Sequence, residues 1–427
     1  MINRIEKIIK NNKLVSAYKI TEHKKESIEL FYVKDKLETN RATNINSFSV
    51  VIYRDFDGFR GNSSFEVFPE FSDEDIELAI NKALDRSLLV KNKYYDLPKN
   101  KNIKLNDSKS ELLNMDFKDV ALNIANAISK ANHYKDGSIN SYEIFVNKNY
   151  KRIINSNGID LNEVSGDIFV EAIPNWVGKD EEVELYTDYV TSAINYDEVT
   201  YKIDEALNNC KLRSIAKKLP EGLTKCNVIL AQEEISEIIE FLARQTSYQN
   251  VYMKTNILNV NDNVSGDNND KLNITLKSQI EGGAYKTLFD DDGVILNDFN
   301  FIKDGIIKSY HGDNRFGYYL GIDNPTGNYK NAEMKAGSLS FDEMKKEPYI
   351  YCMYFSSPQL DDYSGYYGGE VRLGLYFDGK DCYPVTGFSI SGNLNNDFKT
   401  FKFSKEVDTY KNFRGPKYLL IKDMSIN

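Results

Sequence analysis

The chain has little of what metal or redox chemistry draws on. Its 427 residues include three histidines (His23, His133, His311), four cysteines (Cys210, Cys226, Cys352, Cys382), one tryptophan and nine prolines. Four cysteines so far apart make no disulfide framework and no CxxC knuckle, so they read as reduced, structural thiols. Cys352 and Cys382 stand in aromatic, strand-like runs, where a free thiol packs as a small apolar side chain. No apolar run approaches the ~20 residues that cross a bilayer, and residues 1–11 read as a polar helix rather than a signal peptide. The expectation is therefore a soluble, cytoplasmic protein without a membrane partner. Acidic residues exceed basic ones, 64 against 54, and the formal charge of −10 opposes a phosphate backbone. The basic runs at 99–104 and Lys345-Lys346 are short and flanked by polar residues, so no nucleic-acid partner is assigned. A P-loop, a dinucleotide-binding glycine fingerprint and a GxSxG elbow are all missing. Asp290-Asp291-Asp292-Gly293 and residues 261–266 lack EF-hand spacing and read as turns.

What is present supports a large α+β protein. With 41% hydrophobic and 28% charged residues, the chain can bury a substantial core, and its length favours two or three domains. A helix from Arg4, strand-like runs at 28–34 and 48–53, and an amphipathic helix opened by Ser72-Asp73-Glu74-Asp75 make residues 1–105 an N-terminal α/β region with helices on a sheet. Residues 106–219 form a middle α+β region, with helices at 118–131 and 198–217 around alternating segments at 141–146, 152–155 and 161–173. Pro220 and Gly222 close that helix, and residues 220–427 read as a β-rich, barrel-like domain with one prominent helix at 233–245 and a shorter one near 340–347. The Asn/Asp-rich stretch 259–270 buries too little apolar area to order itself and is expected to be a mobile loop.

Several short segments recur in a telling order: Asp57-Gly58-Phe59-Arg60-Gly61, Asp290-Asp291-Asp292-Gly293, Thr326-Gly327-Asn328, Tyr363-Ser364-Gly365, Pro384-Val385-Thr386-Gly387, Ser391-Gly392-Asn393-Leu394 and Arg414-Gly415-Pro416. Through them the chain resembles the TldD/PmbA family of metallopeptidases, long labelled modulators of DNA gyrase. In the metal-bearing members a histidine-glutamate pair and a second histidine stand on the helix matching 233–245, and a distal cysteine completes the zinc set. Such a set holds zinc and a water whose pKa falls to ~7. Here Glu240 and Gln245 fall at the histidine positions, Phe241 falls at the glutamate, and no cysteine occurs between 408 and 416. The resemblance is thus to the PmbA/TldE-like branch, which lacks the zinc motif.

The resemblance implies no catalytic residue, no metal and no cofactor in this chain. Zinc is expected in a TldD-like partner subunit, and the substrate is an unfolded or leader peptide. It also implies an oligomer, either a pair with the TldD-like subunit or a homodimer in isolation. Ser364, Gly365, Gly392, Asn393 and Leu394 are candidates for lining a peptide groove, with hairpin turns as their plain structural role. Two other readings stay open: a stand-alone peptide-binding or regulatory homodimer without protease activity, and an enzyme that uses carboxylates such as Glu240, a donor type that suits Mg or Ca better than catalytic zinc.

Overall fold

A computed structural model describes residues 1–99, 105, 110–266 and 270–427. Most of the basic run 99–104, the boundary expected at 105/106, and residues 267–269 lie outside the described residues. Among the described residues no helix is long and apolar enough to cross a membrane.

The first half is built on one antiparallel sheet of eight strands. Its order is 92–93, 59–67, 36–56, 17–33, 137–155, 160–177 and 182–184, with 187–191 also pairing on 160–177. Strands on both sides of residue 105 therefore belong to the same sheet. Strand side chains alternate between faces. In Ala17–Val33, Tyr18 and Ile20 point at helices α1 (Ile2–Asn11) and α2 (Asp73–Ser87), while Leu30 packs against α3 (Phe117–Ala131) and α4 (Tyr196–Ser214). The helix start expected at Ser72 is realised as a capping box with Asp75. The odd-numbered face of the same strand is polar and looks toward the second half of the chain. A row across it runs Ser47, His23, Lys151, Glu163, and the next runs Ile45, Lys25, Asn149, Ser165.

The second half contains a closed five-stranded barrel. Lys225–Ala231 pairs with Tyr418–Ile426, then Phe388–Asn393, Tyr366–Phe377 and Tyr349–Phe355 follow, and the last returns in parallel to the first through Tyr349 and Asn227. Closure leaves these strands no free edge. A six-stranded sheet lies beside it and ends in the hairpin Val407–Tyr410 and Phe413–Pro416. Helix α5 (Gln232–Gln245) follows the first barrel strand and contacts both the barrel and this hairpin. Its stripe of Ile235, Ile238, Ile239 and Leu242 is buried in the main core of this half, as the helical spacing predicts.

The halves meet through charge and packing. Lys19 Nζ reaches Asp292 at 2.7 Å, Lys151 Nζ reaches Asp291 at 2.7 Å, and Ile153 and Ile159 pack on Leu288 and Phe289. Residues 259–266 are better anchored than expected. Val264 and Ser265 are buried, and Asp262 Oδ2 accepts the Asn259 N–H at 2.7 Å. Cys210, Cys226 and Cys352 are buried, whereas Cys382 is exposed on a barrel-side strand rather than packed inside.

Candidate functional site

Helix α5 presents different chemistry on its two flanks. On one, Ser236, Glu240 and Ala243 border a cavity of about 340 Å³ whose far wall is Tyr285, Tyr329, Lys330 and Asn412. On the other, Glu234, Glu237 and Ile238 border a smaller cavity of about 180 Å³ against Phe355, Leu360 and Tyr367 of the barrel side. Glu234 Oε2 is buried and meets no hydrogen-bond donor among the described residues. Burial, reinforced by the charge of Glu233, pushes its carboxyl up to about 8.

The three positions expected to match the zinc motif are each committed to other contacts. Phe241 is fully buried and offers no donor atom. Gln245 is fully buried as well; its Nε2 donates to the Asp362 carbonyl at 2.7 Å and its Oε1 accepts the Ile257 N–H at 2.7 Å. Glu240 Oε1 accepts from Asn412 Nδ2 at 2.8 Å, and its Oε2 lies 3.8 Å from Arg244. Asn412 belongs to the stretch 408–416, where the resemblance puts the distal ligand, so that stretch does reach α5. An amide meets a carboxylate there, and a zinc ion with an open water position does not fit these residues. Among the described residues no group of three or more potential metal-ligating side chains comes together.

One histidine does approach the helix. His311, buried between Phe301 and Tyr329, has Nε2 3.0 Å from the Ala243 carbonyl. A carbonyl only accepts, so Nε2 carries the proton, and Nδ1 meets no hydrogen-bond partner among the described residues. Burial lowers its pKa to about 4, and the ring is neutral.

The five groove candidates come together in a single turn network. Asp361 Oδ1 accepts from Ser364 Oγ and from the N–H groups of Tyr363 and Ser364. Asn393 Nδ2 donates to the Ser364 carbonyl at 2.9 Å, and the Leu394 N–H donates to the Gly365 carbonyl at 2.8 Å. Gly365 has φ +71°, where a larger side chain is strained, and a Cβ on Gly392 would sit 2.4 Å from an Asp397 oxygen and displace it. Asp362, in the same turn, takes Arg244 in a two-pronged ion pair and Gln245 through its carbonyl. The turn candidates and the α5 positions, far apart in sequence, are thereby neighbours.

A third feature was not singled out in the sequence. Between the polar face of the large sheet and residues 284–291 and 330 lies a cleft of about 500 Å³, bordered by Lys25, Lys151, Lys286 and Lys330. Tyr285 and Lys330 border this cleft and the Glu240 cavity alike, and Tyr329 joins the latter to a cavity of about 780 Å³ near Pro98 and Phe299. The only signal in the sequence was the alternation of His23 with Lys25 and of Asn149 with Lys151, which acquires meaning once the strands are in register.

A five-stranded barrel carrying α5 is joined to a long antiparallel sheet, and Glu240, Phe241 and Gln245 stand on α5 where the resemblance puts the zinc motif. Residues 223–427 match the family model described as the PmbA/TldA metallopeptidase C-terminal domain. These residues, just under half of the chain, are thus a PmbA/TldD-type C-terminal domain. No curated protein sequence matches the chain. Among solved structures, TldE from Thermococcus kodakarensis is 14% identical with a TM-score of 0.83, covering 99% of each chain. A Thermotoga maritima protein described as a modulator of a DNA gyrase is 15% identical with a TM-score of 0.78, covering 100% of this chain and 99% of its own. A Bacteroides thetaiotaomicron protein described in the same way is 15% identical with a TM-score of 0.83, covering 100% of this chain and 97% of its own. The likeness to all three is one of fold.

Proposed function

We propose that this chain is a PmbA/TldE-like, non-catalytic subunit that works in the cytoplasm with a TldD-like metallopeptidase subunit on unfolded or leader peptides, the partner supplying the zinc. The observation that carries this reading is the state of α5: Phe241 is core, Gln245 is a buried cross-link, and Glu240 is held by Asn412. The adjoining cavities beside that helix, which share Tyr285 and Lys330 as wall residues, offer an extended peptide room along it.

The test measures bound zinc and hydrolysis of an unfolded polypeptide for the purified chain, for a TldD-like subunit from the same organism, and for their mixture. Activity that requires the mixture, with zinc on the partner, is the expected result. Stoichiometric zinc and hydrolysis by this chain alone would overturn the proposal. A chain that stays a homodimer and binds peptide without ever supporting hydrolysis would favour the stand-alone peptide-binding reading instead.

A further inference from the structure

We propose that the cleft between the large sheet and residues 284–291 and 330 takes an acidic, extended polypeptide segment, added as a strand along the free edge at residues 36–47 with its carboxylates toward Lys25 and Lys330. This extends the peptide-binding part of the function proposed above by naming a substrate class.

Two independent observations lead there. The first is an unpaired backbone. Strand Lys36–Phe56 pairs with Ala17–Val33 from Lys36 to Tyr53, but its other neighbour, Phe59–Val67, covers only Phe48 to Phe56. Over residues 36–47 the N–H and C=O groups that point away from the sheet meet no strand among the described residues, and most of these residues are exposed. The stretch contains no proline to block pairing. A long open edge of this kind is a template for strand addition.

The second observation is the charge beside that edge. Ile45 and Ser47 border the cleft from the edge strand, and Lys25 is the register partner of Ile45. Lys151 is neutralised by Asp291, and Lys286 donates to the Val164 carbonyl. Lys25 and Lys330 have no carboxylate within 4 Å among the described residues, and Lys330 lies 5.9 Å from the centroid of the Tyr285 ring. Two acids of the cleft are already hydrogen-bonded: buried Glu163 accepts the Leu288 N–H at 2.6 Å, and half-buried Asp167 takes Asn147 and Asn149 at 2.7 and 2.8 Å. In a chain of net charge −10, this leaves two cations facing a cleft of about 500 Å³ next to free backbone donors and acceptors. Side chains of an added strand alternate, so every second one faces the cleft. A carboxylate at those positions meets Lys25 and Lys330, while Glu163, Asp167 and Asp291 disfavour the denser negative charge of a nucleic-acid backbone.

The full chain would be titrated with a labelled, unstructured ten-residue peptide carrying glutamate at alternate positions, with its glutamine analogue, with the glutamate peptide N-methylated at alternate residues, and with a single-stranded oligonucleotide. Expected is at least tenfold tighter binding of the glutamate peptide than of the glutamine analogue, weakening with salt. At least a tenfold loss is expected in Lys25→Gln and in Lys330→Gln, tested singly, and also on N-methylation, which removes the strand's donors. The exposed Lys346→Gln outside the cleft should bind as the parent does, and thermal melts confirm that all three variants fold. Equal binding of the glutamate and glutamine peptides, indifference to both cleft lysines, or tighter binding of the oligonucleotide would overturn the proposal. So would sedimentation showing that a second copy of the chain holds the edge and that peptide does not compete. The two proposals fail separately, because this titration needs no partner and the mixing assay needs no acidic peptide.

Discussion

Phe241 and Gln245 separate a packing role from a catalytic one at single positions. Phe241→Ala should cost about 3–5 kcal/mol, the range for emptying a filled aromatic site. Gln245→Ala should cost about 1–3 kcal/mol for each buried group left unpaired, here the Ile257 N–H and the Asp362 carbonyl. Urea unfolding of both variants checks this, and losses below 1 kcal/mol would contradict the burial described. Glu234 gives a pH signature. Its ordinary value of 4.5 rises to about 8 in the fold, so between those limits the folded chain holds a proton that the unfolded chain has released. Stability from this group is complete below pH 4.5 and is lost as pH rises through about 8. Glu234→Gln should therefore raise the melting temperature relative to the parent at pH 8 and change the difference little at pH 4. His311 has the opposite sign, because its depressed value makes stability fall between pH 6.5 and about 4 as the unfolded chain takes up a proton first. The sequence reading placed Glu240, Phe241 and Gln245 on the helix but had no means of finding Glu234 or His311, whose surroundings come from the barrel side and from residues 299–329.

At the scale of elements, helices were the legible part. Apolar residues at helical spacing and the Ser72 start anticipated α2, and the expected 118–131 and 233–245 differ by one residue from the observed α3 and α5. The long strands were not legible in full. The expected run 28–34 falls on the end of Ala17–Val33 nearest the connecting turn, running one residue past Val33, and 48–53 falls toward the opposite end of Lys36–Phe56, because 21–27 and most of 36–47 are polar on both faces and show no apolar alternation. Barrel closure depends on a detail outside any motif: a Cβ at Gly368 would lie 2.4 Å from the Ile390 carbonyl oxygen across the strand pair. Gly368→Ala should thus force these strands apart and cost about 1–3 kcal/mol or more, read as a lowered thermal midpoint and weakened near-ultraviolet circular dichroism. An unchanged midpoint would mean the pairing is looser than described.

For the whole molecule, the two halves act as walls of shared cavities, since Lys330 and Tyr285 from the second half close a cleft whose floor is the sheet of the first. The mixing assay belongs to this scale, since the proposed zinc chemistry comes from a second subunit and the cavities of this chain lie beside α5. The sequence by itself determined α2, α3 and α5, the α+β class, the family resemblance and the absence of histidine and cysteine from α5, because these follow from periodicity and residue identity along the chain. Only the tertiary structure decided that Asn412 meets Glu240, that the turn at Ser364 docks on Gln245 through Asp362, and that Lys25 faces Lys330 across a cleft. Such encounters join residues more than a hundred positions apart, and they are set by strand register and by the closure of the barrel, which no local pattern encodes.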